Sequence, residues 1–469
     1  MQKKYLNIAV AGALAAMSVG AHAADTYFGN FTPLAASAGP TSTPATPITL
    51  SSPNFSQVTI ADRATQLAKA AGSNSGSWDM ITANETGTNA GRYLFMPFET
   101  NTGGVQRVDL WDNNYNTRTV TIVAPGSQNF VSGDASRWTP WGSYLTAEES
   151  WGNGSTKGRL FEVTNATTAA ANGGNFVQRN IIPRVSHEGL AFDKQNTMYF
   201  IDELNGGSVY KYVSNNANAT NGDDYFASGQ SFVMRVGDGS AFGGTGAASW
   251  VALTDTNGAA LPGVVMTSYD AIDGRATTDL AAFKGTNYNR PEDLEVKTLA
   301  NGNEGIFFTT TDAQQVFVMN IDAAGNTAVS LFVDRNTIDL ATGKAVGSAL
   351  TSPDNLAIDA SGVLYIIEDR NGGVDDDIWY AKDINHDGDL LDAGEGIARW
   401  ASNGTPGSEF TGLYFDKFNA NVAYVNIQHP NDGVDRLIQI TAVPEPETYA
   451  MFLAGLGLVG FAARRRAAK

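Results

Sequence analysis

One acidic motif recurs along this chain at the start of a predicted strand, and it constrains the fold more than any other feature. Its four copies begin at His187-Glu188, Pro291-Glu292, Pro353-Asp354 and Glu409. Each copy continues as an apolar run, a turn and a second apolar run, and such repeated units are typical of β-propeller blades. Together with two further units, over 78–123 and 138–163, they predict an all-β, six-bladed β-propeller with insertions. A pair of β-sandwiches is the alternative, which does not predict the recurring acidic start.

Carboxylates at equivalent positions of successive blades are expected to converge on the central channel. Carboxylates crowded together do not all stay ionised without cations. Antiparallel pairing also places the end of each second strand beside the start of the first, which creates mixed clusters of oxygen ligands for hard cations such as Ca²⁺ and Fe³⁺. The predicted metal ligands are Glu148, Glu149, Glu188, Asp202, Glu203, Glu292, Asp293, Asp354, Glu368, Asp369, Glu409 and His429.

Three residues within or next to these motifs are candidates for catalysis. Arg290 and Arg370 are expected to hold an anionic substrate through paired hydrogen bonds, with a salt bridge to a neighbouring carboxylate as the alternative. His187 is the third candidate, because the chain has only four histidines and this one starts a motif. A hydrogen-bonded structural histidine is the alternative for both His187 and His429.

A separate acidic loop follows the first half of an EF-hand calcium loop. Oxygen-bearing side chains stand at alternate positions and a glycine follows the third of them. The predicted peripheral calcium ligands are Asp383, Asn385, Asp387 and Asp389. The closing carboxylate departs from the pattern, since Glu395 comes one residue late, and an acidic turn without an ion is the alternative.

Charge and the two chain ends predict an exported protein. The formal net charge of −18 argues against nucleic-acid binding, because no basic stripe is present to meet phosphates. Lys3, Lys4, an apolar run and Ala21-His22-Ala23 predict a signal peptide over 1–23. An entry segment over 24–77, which carries a short helix near 61–71, is expected to precede the propeller domain over 78–442.

The segment 443–469 joins Pro-Glu-Pro, an apolar stretch and three arginines. This layout resembles the PEP-CTERM sorting signal, with a sorting helix, of Gram-negative bacteria. The resemblance implies processing by an exosortase-type enzyme and delivery to the cell surface, outer membrane or extracellular matrix, with exopolysaccharide as a further partner. An ordinary tail anchor is the alternative.

Four strings together resemble PhoX-type alkaline phosphatases, at 139–149, 290–293, 352–356 and 426–430. The resemblance implies a propeller whose channel holds calcium with iron and hydrolyses phosphate monoesters. Ala147 stands where the family carries a cysteine ligand of iron, and the chain has no cysteine, so calcium is the expected cofactor, and iron, the alternative, would lack this ligand. Two alternatives remain: a non-catalytic calcium-stabilised propeller of the extracellular matrix, and another metal-dependent propeller hydrolase such as a lactonase.

Overall fold

The computed structural model describes residues 26–40, 42–150, 156–267, 270–370 and 376–444. Within these residues the fold is all-β with β-propeller-like sheets, which confirms the all-β part of the predicted fold class. The expected signal peptide and all but the first two residues of the sorting segment lie outside the described residues. Among the described residues, no helix has the length and apolar character needed to cross a membrane.

The first part of the chain contributes two early strands, one helix and two four-stranded antiparallel sheets. The early elements are β1 (Ile48–Leu50), β2 (Phe55–Asp62) and the predicted helix α1 (Arg63–Lys69), which Asp62 caps through the backbone N–H of Thr65. The first sheet is β3 (Thr82–Ala83), β4 (Tyr93–Pro97), β5 (Val105–Asp109) and β6 (Thr119–Val123). The second is β7 (Gly133–Trp138), β8 (Tyr144–Glu148), β9 (Leu160–Val163) and β10 (Phe176–Gln178).

The middle of the chain forms one nine-stranded sheet with two halves. The first half is β11 (His187–Phe192), β12 (Met198–Asp202), β13 (Val209–Ser214) and β14 (Gly229–Val236). The bridging strand is β15 (Gly246–Ala252), and the second half is β16 (Pro291–Thr298), β17 (Glu304–Thr310), β18 (Gln315–Ile321) and β19 (Thr327–Val333). Strand β15 joins the halves because it pairs with both β14 and β19. Two short helices lie in this region, α2 (Gly222–Tyr225) and α3 (Gly274–Thr278).

Two sheets complete the fold, and each takes a strand from the N-terminal segment. The first contains β20 (Ile338–Asp339), β21 (Lys344–Ala345), β22 (Pro353–Ile358), β23 (Leu364–Glu368), β24 (Asp377–Lys382) and β25 (Gly396–Asn403). The second contains β26 (Glu409–Phe415), β27 (Val422–Gln428) and β28 (Arg436–Ala442). Strand β1 pairs with β25, and β2 pairs with β28 as the outer strand of the last sheet. The segment expected to be an entry region therefore supplies two strands to the sheets.

Apolar layers between neighbouring sheets form the core. In the layer between the last two sheets, Phe28, Trp400 and Phe415 are almost fully buried and their rings pack edge to face. Fully burying a phenylalanine side chain stabilises the folded state by about 1.5–3 kcal/mol. The N-terminal segment is thus held by apolar packing as well as by strand pairing.

Candidate metal centre

A β-bulge near the start of the strands β7, β11, β16 and β22 positions the acidic motif residues. In β7, β11, β16 and β22 the register against the following strand shifts at the second and third residues. A bulge adds one residue and re-aims the side chains that it carries. The residues at the first bulge position are Asp134, Glu188, Glu292 and Asp354. Strand β26 has the same bulge, but Gly412 occupies this position.

These four residues and Asp79, which precedes β3, are named the ring carboxylates. Asp79 belongs with them because the residue before it, Trp78, pairs with Phe98 next to the first sheet. In the other sheets, the residue before the bulge likewise pairs with the neighbouring strand. One carboxylate oxygen each of Glu188, Glu292 and Asp354 lie within 4.8 Å of one another. A second group within the same distance combines Asp134, Glu149 and Glu188. Glu188 is therefore common to both groups.

A second set follows the second strand of four sheets, and we name Glu99, Glu149, Glu203 and Asp369 the strand-end carboxylates. The backbone N–H groups of Glu149 and Glu203 donate to the carbonyls of Ser132 and Ser186, each over 2.8 Å. Glu99 and Asp369 make the equivalent bonds. The expectation that the second strand ends beside the start of the first is confirmed by these bonds and by the register of His187 opposite Asp202.

Burial and mutual repulsion raise the pKa values of these carboxyl groups. Burial raises the pKa of Glu188 well above its ordinary value, and the charges of Asp134, Asp354 and Glu292 add to the rise. Burial, followed by the charge of Glu203, has the same effect on the pKa of Glu149. A cation would remove this repulsion, so the cluster has the electrostatics of an oxygen-ligand metal site.

Arg290 is a positively charged residue that contacts this cluster. Its Nε and Nη2 lie 2.8 and 2.7 Å from Oε1 of Glu203, and Nη2 lies 3.3 Å from Oε1 of Glu292. The Arg290 side chain is 32% exposed, which leaves part of the guanidinium open to a ligand. The charges of Glu292 and Glu203 raise its pKa against the opposing effect of burial.

The last sheet adds Glu409 and His429 on the side of Asp79 and Asp369. Oε1 of Glu409 pairs with Nε2 of His429, while Nδ1 of His429 lies 3.2 Å from the carbonyl of Gly407. Burial, then a hydrogen bond with Asp369 and its charge, raises the pKa of Glu409 to about 11. These residues form a second, histidine-containing part of the acidic cluster.

Several predicted ligands instead bond to groups outside the ring. Both oxygens of Glu148 accept from Arg159, including a bond of 2.8 Å from its Nε. Asp202 accepts from Arg275 over 3.1 Å. Glu368 accepts from the indole Nε1 of Trp379 over 2.9 Å and from two backbone N–H groups.

Three other candidates also lie outside the two sets of neighbouring carboxylates. Asp293 is the second bulge residue of β16 and accepts backbone N–H groups, and burial raises its pKa to about 7. The ring of His187 packs against Phe200 at 5.3 Å, and burial lowers its pKa to about 3. Arg370 lies beside Asp376; burial and the charge of Asp369 raise the pKa of that carboxyl to about 8, and the charge of Arg370 opposes the rise.

In the predicted calcium loop, one carboxylate oxygen of Asp383 accepts no hydrogen bond from the described residues. Oδ2 of Asp383 accepts from Lys297 over 3.1 Å and from the backbone N–H of Gly388 over 3.3 Å. Oδ1 of Asp383 is buried and accepts no hydrogen bond from the described residues. Asn385 donates to Asp387 over 2.9 Å, and Oδ1 of Asp389 accepts the backbone N–H of Leu391 over 2.9 Å.

Three carboxylates of the cluster were missed at the level of sequence: Asp79, Asp134 and Glu99. The first strand of the second sheet was expected to follow Trp138, whereas β7 ends there. A signal was present, because a serine stands two residues before four of the five ring carboxylates. These serines are Ser77, Ser132, Ser186 and Ser352, and their carbonyls accept the bonds from the strand-end residues.

Comparisons with known proteins identify a family and a sorting motif. A family model described as alkaline phosphatase PhoX matches residues 135–431, and a PEP-CTERM protein-sorting motif matches residues 442–466. The sorting motif implies an exported protein that is sorted to the surface of a Gram-negative cell. No curated protein matches the chain.

Several solved structures are similar to the chain at low sequence identity. A putative gluconolactonase is 12% identical with a TM-score of 0.40, covering 84% of this chain and 97% of its own. YCF48 bound to a D1 peptide is 9% identical with a TM-score of 0.37, covering 85% and 100%. The sialidase of Trypanosoma rangeli, in complex with the inhibitor DANA, is 9% identical with a TM-score of 0.36, covering 81% and 57%.

Proposed function

The chain belongs to the PhoX alkaline phosphatase family, and we propose that it hydrolyses phosphate monoesters outside the cytoplasm with calcium held by the ring carboxylates. The observation that carries this proposal is the position of Glu188. Its carboxylate belongs to both sets of three neighbouring carboxylates, one with Asp134 and Glu149 and the other with Glu292 and Asp354. Glu188 would therefore be a ligand of a cation held by either group.

The sheets are proposed to form six blades around this centre. The first strands β3, β7, β11, β16, β22 and β26 contact one another in this order. The circle closes where Oγ1 of Thr411 in β26 donates to the carbonyl of Trp78 over 2.7 Å. In this arrangement the nine-stranded sheet is two blades that β15 joins at their outer edges.

The donor set fits calcium and does not fit an iron held by a thiolate. Oδ1 of Asp134 and Oε2 of Glu292 are buried and accept no hydrogen bond from the described residues. Buried ionised oxygens require a cation, and sets of carboxylate oxygens suit Ca²⁺. Ala147, at the position of the family cysteine, is buried in an apolar cluster with Leu160 and Leu190. No part of the proposal therefore depends on iron.

Bound divalent cations supply electrostatic stabilisation for the charge that develops on the phosphoryl oxygens. Arg290 is proposed to bind two of these oxygens, because its planar guanidinium matches them and is partly exposed. Glu203 and Glu292 hold the guanidinium in place. The buried ring of His187 has no part in this set.

Metal analysis of the secreted chain, combined with p-nitrophenyl phosphate hydrolysis before and after chelation, tests the proposal. We expect bound calcium, turnover that the chelator abolishes, and recovery when calcium is returned. Bound calcium without turnover would instead support a non-catalytic propeller of the extracellular matrix. Hydrolysis of a lactone or phosphotriester, with none of the monoester, would support another propeller hydrolase.

The loop 383–389 is proposed as a peripheral calcium site. The bond from Gly388 to Oδ2 of Asp383 leaves Oδ1, which is buried and accepts no hydrogen bond within the described chain. The contact between Lys297 and Asp383 favours the alternative of an acidic turn paired with a lysine. Asp387→Ala is expected to lower the bound calcium by one ion per chain at unchanged kcat, and an unchanged calcium content would exclude the site.

A further inference from the structure

Asn355 connects a ring carboxylate to the next strand around the channel. Its Nδ2 donates to Oδ1 of Asp354 over 2.7 Å, and its Oδ1 accepts the backbone N–H of Gly412 over 2.6 Å. The side chain is buried, with 2% of the residue exposed. Both polar atoms of the amide are therefore committed, one to Asp354 in β22 and one to the backbone of β26.

The equivalent bulge position of β16 shows why an amide stands here. Asp293 occupies that position, and its two oxygens accept the N–H groups of Leu294 over 2.6 Å and Leu356 over 3.0 Å. A carboxylate suits two N–H donors because it can only accept. Asn355 meets one N–H donor and one carboxylate, and an amide supplies both an acceptor and a donor. The residue type at each bulge thus matches the groups that surround it.

We infer that Asn355 is a positioning residue for cation binding: its bond to Oδ1 fixes the carboxylate of Asp354, which would bind a cation together with Glu188 and Glu292. The inference rests on the proposed calcium centre and adds a residue to it. Hydrogen bonds to a metal ligand from outside the coordination sphere fix the orientation of that ligand. An amide does so without adding a positive charge that would compete with the cation, as an arginine would.

The test compares Asn355→Leu with the matched control Thr411→Val in the full secreted chain. Thr411 also bonds across neighbouring strands, to the carbonyl of Trp78 over 2.7 Å, but it donates to no ring carboxylate. Calcium is titrated into each chelator-treated protein by calorimetry, and p-nitrophenyl phosphate kinetics are recorded over a range of calcium concentrations. Asn355→Leu is expected to raise a calcium Kd by roughly 10- to 100-fold, with kcat largely recovered at saturating calcium. Thr411→Val is expected to keep the Kd of the parent chain.

Equal calcium Kd values for Asn355→Leu and Thr411→Val would overturn the inference and leave the proposed function standing. A parent chain that binds no calcium would overturn the proposed function itself. If the leucine variant does not fold, Asn355→Ala removes the same two hydrogen bonds without adding bulk, and the same Kd comparison applies to it. A lower Tm in chelator, with unchanged Kd, would show that Asn355 only joins the strands.

Discussion

Glu188 and Glu292 occupy the same bulge position of the neighbouring strands β11 and β16, and their carboxylates approach each other within 4.8 Å. Gly189 makes this approach possible, because a Cβ atom there would lie 2.4 Å from the backbone nitrogen of Leu294. Two carboxylates this close repel each other unless one is protonated or a cation lies between them. The repeat in the sequence therefore produces a cluster of carboxylates, a candidate metal site, through strand geometry.

Glu149 and Glu148 are adjacent residues with different partners, so they make a matched pair. Glu149→Gln is expected to lower the bound calcium and reduce kcat by roughly 100-fold, because it removes a ligand beside Asp134 and Glu188. Glu148→Gln is expected to destabilise the fold by about 3 kcal/mol, because it leaves the charge of Arg159 without its buried partner. Metal analysis, kinetics and urea unfolding separate the two effects. Loss of calcium from Glu148→Gln instead would contradict the assignment.

The recurring acidic motif was sufficient to predict an all-β fold and a cluster of carboxylates, but not the position of every carboxylate. The motif residues Glu188, Glu292 and Asp354 come together as expected. Alternation along a strand cannot indicate which of two successive acidic residues faces the channel once a bulge is present. Glu292 and Asp293 illustrate this point, since the first lies in the cluster and the second accepts backbone N–H groups beside it.

Long-range pairing was the other feature that sequence patterns could not supply. Strand β2 pairs with β28, which lies more than 370 residues later in the chain. No local pattern specifies such a partner, because the pairing depends on closing the whole set of sheets. The same limit explains why Asp79 was missed, since its place in the cluster depends on contacts with β27 such as the 2.9 Å bond from Gln428.

Arg290 is expected to determine the affinity for the phosphate group. Arg290→Lys keeps a positive charge but loses the paired donors, so KM for p-nitrophenyl phosphate should rise on the order of tenfold. Arg275→Lys is the matched control, because Arg275 pairs with Asp202, which belongs to neither set of neighbouring carboxylates. Steady-state kinetics at saturating calcium measure both variants. An unchanged KM for Arg290→Lys would remove this residue from the proposed site.

His187 is expected to make the fold sensitive to acid. Burial lowers its pKa from 6.5 to about 3, so the folded chain keeps it neutral while the unfolded chain takes up a proton below pH 6.5. The free energy of unfolding therefore falls by about 1.4 kcal/mol per pH unit between pH 6.5 and 3 because of this residue. His187→Phe should lack this component, although the loss of the imidazole changes its absolute stability. Urea unfolding at several pH values with saturating calcium gives the slopes, and parallel slopes for both proteins would refute the prediction.

Gly412 is expected to be essential for closing the circle of strands. It has φ of +54°, and a Cβ atom there would lie 2.6 Å from the backbone nitrogen of Ile81 and 2.7 Å from Cα of Met80. Gly343 has φ of +67° with nothing within 4 Å of the corresponding position, so it reports the cost of the left-handed backbone alone. Gly343→Ala should cost about 1–2 kcal/mol in unfolding free energy, and Gly412→Ala about 3 kcal/mol or more because the clash with residues 80 and 81 is added. Urea unfolding of the two variants in chelator measures this difference without a contribution from calcium. Equal losses of unfolding free energy in the two variants would mean that β26 and the segment before β3 can move apart without destabilising the fold. The proposed closure of the six blades at this point would then be wrong.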